Sequence, residues 1–116
     1  MANEISLDKE DHLFNKGEDY NNMIYILQEG TLEVFDERDG KKIVVGHIQA
    51  GEAVGEMSLL DGGPRSATVI AKTKCSLLEI QAKAYTDLVE SWPKWYQVLV
   101  KTLLDRLRQA NSRVNV

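Results

Sequence analysis

Residues 23–45, MIYILQEGTLEVFDERDGKKIVV, decide the fold. Met23 to Leu27 is a β-rich run that ends at Glu29-Gly30. Thr31 to Phe35 follows at once, with Leu32 and Val34 on one face of a strand. Asp39-Gly40 then lies in a polar patch ahead of Ile43-Val44-Val45. That dipeptide predicts a hairpin, because the tight turns that join antiparallel strands need positive φ and glycine accepts it. The charge run Asp36 to Asp39, with Lys41 and Lys42, reads as a solvated hairpin tip.

The same pattern extends to both sides. Glu4 to Leu7 alternates polar and apolar, and His12-Leu13-Phe14 runs into the turn Asn15-Lys16-Gly17-Glu18. Further strands are predicted at Gly46–Ile48, Ala67–Ala71 and Ser76–Ile80. Short strands punctuated by glycine turns give a β-sandwich or barrel.

The last third changes period. Ala82 to Glu90 predicts a short helix. Ser91-Trp92-Pro93 marks a boundary, with proline suited to a first helical turn and Ser91 placed to cap it. Pro93 to Asn111 then lacks any glycine or further proline. Trp95, Leu99, Leu103, Leu107 and Ala110 share one face, widened by Val100 and Leu104. A surface helix needs a stripe of only about 100°. The extra width leaves two readings: a deeper single core, or contact with a ligand or partner helix. Trp92 and Trp95 are expected to pack the helix onto the β-domain.

The 116 residues suffice for one domain, taking roughly 150 per domain as a guide. The charge is 14 − 18 = −4, which argues against a nucleic-acid or anionic-membrane surface. No run approaches the roughly 18 apolar residues of a membrane span, and no signal-peptide pattern opens the chain. Cys75, the sole cysteine, can form neither an internal disulfide nor a thiolate cluster, so a reducing, cytoplasmic setting and a buried thiol are expected. His12 and His47 lie too far apart for a metal-binding HxH pair, so no metal site is expected.

The chemistry resides in residues 51–69, GEAVGEMSLLDGGPRSATV. Gly55-Glu56 leads into Met57-Ser58-Leu59-Leu60, enough for one helical turn before Asp61-Gly62-Gly63-Pro64 breaks it. The N–H groups at the start of such a turn, approached closely past glycine, suit an anion. Arg65 would add a charge and a fork of donors matched to phosphate. Glu56, acceptor-only when ionised, suits a sugar hydroxyl. Together they would recognise a molecule bearing both phosphate and ribose.

As an ordered string, Gly55-Glu56, Met57 to Leu60, Asp61 to Gly63, Pro64-Arg65, Ser66 and Ala67-Thr68-Val69 closely resembles the phosphate-binding cassette of the cyclic nucleotide-binding domain family. Phe14 to Glu18, Met23 to Gly30, Gly51-Glu52 and the helical end with Pro93 and Arg106-Leu107-Arg108 extend the resemblance over nearly the whole chain. It implies a mainly β fold: a double-stranded β-helix, or jelly-roll-like β-roll, over about 4–81. A short cassette helix interrupts the roll, and two C-terminal helices follow over about 82–112. A single domain then fills 1–116.

The resemblance also implies roles. Glu56 would accept from the ribose 2′-hydroxyl, and Gly55 would bring backbone against the ribose. Met57 and the Ser58 amide would lie beside the ligand. Arg65 would pair with the cyclic phosphate, joined by N–H groups of Ser66 and Ala67. The segment Leu103 to Asn111 would cover the base. Ser66 is read as supporting phosphate and not guanine, which puts cAMP ahead of cGMP. The helix that usually precedes the first strand is missing. No nucleophile–base pair or metal cluster can be assembled, so no catalytic residue, enzyme activity or cofactor beyond the cyclic nucleotide ligand is expected. The expected function is a cyclic nucleotide sensor that signals by moving its C-terminal helix toward an effector or a second copy. The alternative is a ligand-independent dimerisation module on the same fold.

Overall fold

The β4–β5 hairpin forms where Asp39-Gly40 predicts it. In the computed structural model, which describes residues 2–56 and 63–113 apart from the side chains at 104, 108 and 111–113, Asp39 and Gly40 take φ of 53° and 74°. Arg38 faces Lys41 across this two-residue turn. Strands β4 (Thr31–Arg38) and β5 (Lys41–Gln49) pair antiparallel. The expected break between Ile43–Val45 and Gly46–Ile48 does not occur. Val34 faces Gly46 and Phe35 faces Val44, so Val45 is an extra residue in one continuous strand. A ladder on either side of Gly46 overrides its weak strand preference.

The remaining strands are β1 (Ala2–Leu7), β2 (His12–Phe14), β3 (Met23–Glu29), β6 (Ala53–Val54), β7 (Thr68–Ala71) and β8 (Cys75–Gln81). Two four-stranded antiparallel sheets result, ordered β1-β8-β3-β6 and β2-β7-β4-β5. Leu27, Leu77 and Tyr25 of the first meet Leu32, Val69, Ala71 and Phe14 of the second in one core. Cys75 is buried there, with Sγ against the carbonyls of Thr31 and Thr73. This is the mainly β architecture with two C-terminal helices that the sequence implies. Strand β6 was not foreseen, since two residues are too few to show a period. It pairs with Tyr25 and Ile26 and delivers Gly55 to the site. The segment expected to form the cassette helix, 57–60, lies outside the described residues.

Helix α1 (Ala82–Glu90) takes the expected bounds, and its first N–H donates to the Asn22 carbonyl at 2.8 Å. Ser91 does not cap the next helix. Its own backbone is still helical, so its hydroxyl reaches back and donates to the Leu88 carbonyl, closing α1. Helix α2 (Lys94–Arg113) starts instead on the Pro93 carbonyl, which accepts from Tyr96 and Gln97. Nor does Trp95 pack onto the roll, as it is 68% exposed. Trp92 and Trp95 both lie edge-on to Tyr96, a cluster local to the helix start. Val98, Leu99, Leu103 and Leu107 are exposed too, so the stripe does not deepen the core.

The charge run is also more than a solvated tip. Asp36 is buried, and so is Glu33 on the same strand. Lys42, Lys72 and His47 surround Glu33 at 2.5, 3.3 and 3.6 Å. Lys16 and Arg38 hold Asp36 at 2.6 and 3.2 Å, and the Glu37 N–H donates to it. Hydrogen bonds from Lys42 to Glu33 and from Lys16 to Asp36 hold both carboxyls below their ordinary range, against the opposing effect of burial. Unfolded, they would titrate near about 4.3 and 3.9. Their contribution to stability is therefore complete above those values and is lost as pH falls through the lower folded-state values. Urea denaturation should show stability dropping below about pH 4. The double variant Glu33→Gln, Asp36→Asn should flatten that dependence, and an unchanged slope would remove these groups as its source.

Candidate functional site

Residues 55 and 65–67 lie in the connection between the sheets, from β6 at an edge of one to β7 within the other. Two backbone bonds anchor its far end. Gly17 N–H donates to the Arg65 carbonyl, and Arg65 N–H donates to the Glu18 carbonyl, each at 2.9 Å. The turn at 15–18 therefore fixes where Arg65 leaves the chain.

The Arg65 side chain turns inward and is 3% exposed. Nη1 donates to the Gly55 carbonyl at 3.1 Å. Nη2 donates to Asn21 Oδ1 at 2.8 Å and to the Met23 carbonyl at 3.0 Å. The guanidinium lies over the Phe14 ring at 4.3 Å and near the Tyr20 ring at 5.0 Å. Each ring contact of this kind contributes about 0.5–2 kcal/mol. These three acceptors, among the described residues, are neutral. Among the described residues no carboxylate forms an ion pair with Arg65. Burial lowers the arginine pKa, while Tyr25, Tyr20, Glu18 and Glu56 oppose that effect. Arginine stays protonated regardless. The site is thus a buried positive charge with incomplete compensation.

Gly55 makes this arrangement possible. Its φ is +87°, and a Cβ there would come within 2.7 Å of Arg65 Nη1. Glu56 follows and is half-buried. Ser66 is exposed and Ala67 buried, directly after Arg65. Gly55 and Arg65, ten residues apart, are therefore in direct contact, with Glu56, Ser66 and Ala67 beside them in the chain. Met57 and Ser58 lie outside the described residues, as do the side chains of Leu104, Arg108 and Asn111 in the segment expected to cover the base.

Sequence reasoning missed Phe14, Tyr20, Asn21 and Met23. They lie more than 40 residues before Arg65, and no local pattern links them to it. Asn21 is engaged at both ends of its amide: Oδ1 also accepts from the Met23 N–H, and Nδ2 donates to the Tyr25 hydroxyl. Among the described residues the buried Tyr20 hydroxyl has no partner, and burial raises its pKa. A cavity of about 410 Å³ lies beyond Asn21, lined also by Asn22, Met23, Gln81, Ala82 and Lys83.

Against this geometry, residues 4–91 match the family model described as the cyclic nucleotide-binding domain. The chain belongs to that family. It is 31% identical over 103 residues to the cAMP-activated global transcriptional regulator CRP of Haemophilus influenzae, a match covering 88% of this chain and 46% of that protein. The chain thus spans about half the length of the curated relatives it matches. The fold superposes on an EAL enzyme solved in cAMP-bound and cGMP-bound forms, each with a TM-score of 0.81 at 28% and 27% identity. Those matches cover 97% and 96% of this chain and 30% of the enzyme. The Thermus thermophilus catabolite activator protein superposes with a TM-score of 0.78 at 27% identity, over 98% of this chain and 54% of that one.

Gly55→Ala should force a left-handed residue and displace the guanidinium. The backbone conformation alone costs about 1–2 kcal/mol. Denaturant titration should show a loss at least that large, and a neutral result would mean Arg65 can sit elsewhere at no cost.

Proposed function

We propose that residues 1–116 form a cytoplasmic cyclic nucleotide receptor domain, with cAMP preferred over cGMP and no chemistry of its own. The observation that carries this reading is Arg65, a buried guanidinium whose described partners are all neutral. An unpaired buried charge is costly, and an anion completes it. In this reading the cyclic phosphate takes that place, joined by N–H groups of Ser58, Ser66 and Ala67. Glu56 accepts from the ribose 2′-hydroxyl, while Gly55 and Met57 line the sugar. Membership of the family, and the cAMP-bound and cGMP-bound forms of the EAL enzyme, support the ligand class. The preference for cAMP rests on Ser66 serving the phosphate and not a guanine.

Binding draws Arg65 toward the phosphate. The start of β3, which Arg65 holds through Asn21 and Met23, also anchors the first N–H of α1 through Asn22. Differential contact with two states of this junction would pass the signal to α1 and α2. Calorimetry tests the reading directly. Wild type should bind both nucleotides, cAMP more tightly. A charge-assisted hydrogen bond contributes roughly 1.5–3 kcal/mol, so Arg65→Ala should weaken binding about ten- to a hundredfold. No heat at high micromolar ligand, on folded protein, would overturn it.

The exposed apolar face of α2 favours a second reading, that the helix docks on an effector or a second copy whether or not ligand is bound. Light scattering should then report a dimer that dissociates when the chain is cut after Ser91 and persists in Arg65→Ala. A dimer that survives the cut would exclude the helix from the interface.

A further inference from the structure

We infer that Asn21 is a positioning residue for Arg65, one that fixes the guanidinium without neutralising it. The inference rests on the proposed role of Arg65 as the phosphate ligand.

Three observations converge on it. Asn21 Oδ1 accepts from Arg65 Nη2 at 2.8 Å, the shortest of the three bonds that hold the guanidinium. The amide has one orientation available. Its oxygen also accepts from the Met23 N–H at 3.1 Å, and its nitrogen donates to the buried Tyr25 hydroxyl at 3.1 Å. A flipped amide would set its NH2 against two donors, the Met23 N–H and Arg65 Nη2. The third observation concerns charge. Asn21 belongs to an exposed residue position, so a carboxylate there would have little desolvation to overcome. An aspartate of the same shape would give Arg65 a close ion pair, its ordinary partner in a protein. With asparagine the geometry is kept and the positive charge is left for an incoming anion. The other two acceptors, the carbonyls of Gly55 and Met23, are neutral as well. Residue 21 is therefore where a single atom, nitrogen or oxygen, sets whether the anion site is charged.

The test compares Asn21→Asp and Asn21→Ala with wild type, by calorimetry with cAMP and by thermal denaturation without ligand. Asn21→Asp should raise the melting temperature by a few degrees, as an ion pair forms on the buried guanidinium. It should also weaken cAMP binding at least tenfold, because the phosphate must displace a carboxylate. Asn21→Ala should lower the melting temperature and weaken binding only several-fold. Opposite movement of stability and affinity in Asn21→Asp is the signature. A purely structural asparagine would make affinity follow stability in both variants, and that result overturns the inference, as does wild-type affinity in Asn21→Asp. If folded wild type binds neither cAMP nor cGMP, the proposed function fails instead. The ligand-free melting temperature of Asn21→Asp then decides alone, and a fall overturns the inference.

Discussion

The site depends on a single buried cation. Arg65 collects the Gly55 carbonyl at the end of β6, Asn21 and the Met23 carbonyl at the start of β3, and the Phe14 ring of β2. Those elements come from both sheets, so the guanidinium closes one end of the roll as well as marking a binding position. Fixing a charge inside with neutral dipoles and aromatic faces leaves its field only partly compensated, by Glu18 and Glu56. For a chain of net charge −4 that is a physical necessity if an anion is to bind. The attraction has to be made locally, with Glu18 and Glu56 acting on the guanidinium but not paired with it among the described residues.

The second sheet handles buried charge in the opposite way. Glu33 and Asp36 are each surrounded by cations, and both are held in the ionised form. Lys42 also spans the Phe35 ring at 4.6 Å, so its stem and charge together shield the outer face of β4. Among the described residues, two buried carboxylates are ion-paired and one buried guanidinium is not, which separates structural charge from charge available for binding.

The helical end stands apart from this economy. Helix α1 is tied to the roll by the bond from Ala82 to Asn22, one residue from the Asn21 that holds Arg65. Helix α2 carries Trp95, Val98, Leu99, Leu103 and Leu107 on exposed positions. The site and the helices therefore share one short segment, residues 21–23, as their physical junction.

Much of this was legible in the sequence. Alternation in 23–35, the Asp39-Gly40 turn and the proline before the last helix located β3, β4, the β4–β5 hairpin turn and the start of the last helix, because each is a local matter of period and φ. The ordered run from Gly55 to Val69 pointed to phosphate and ribose chemistry, and Gly55 and Arg65 do meet. What local pattern could not carry was every contact made across the fold. Strand β6 exists only because β3 is there to pair with it, and β5 continues through Gly46 only because β4 holds both halves. Ser91 turns back to the Leu88 carbonyl of α1, and Trp95 stays exposed beside Tyr96 instead of meeting the roll. Above all, the sequence determined that an arginine would stand at position 65. Only the tertiary structure decided that Asn21, Met23 and Phe14 would surround it, because groups more than 40 residues apart become neighbours only when two sheets close on one core.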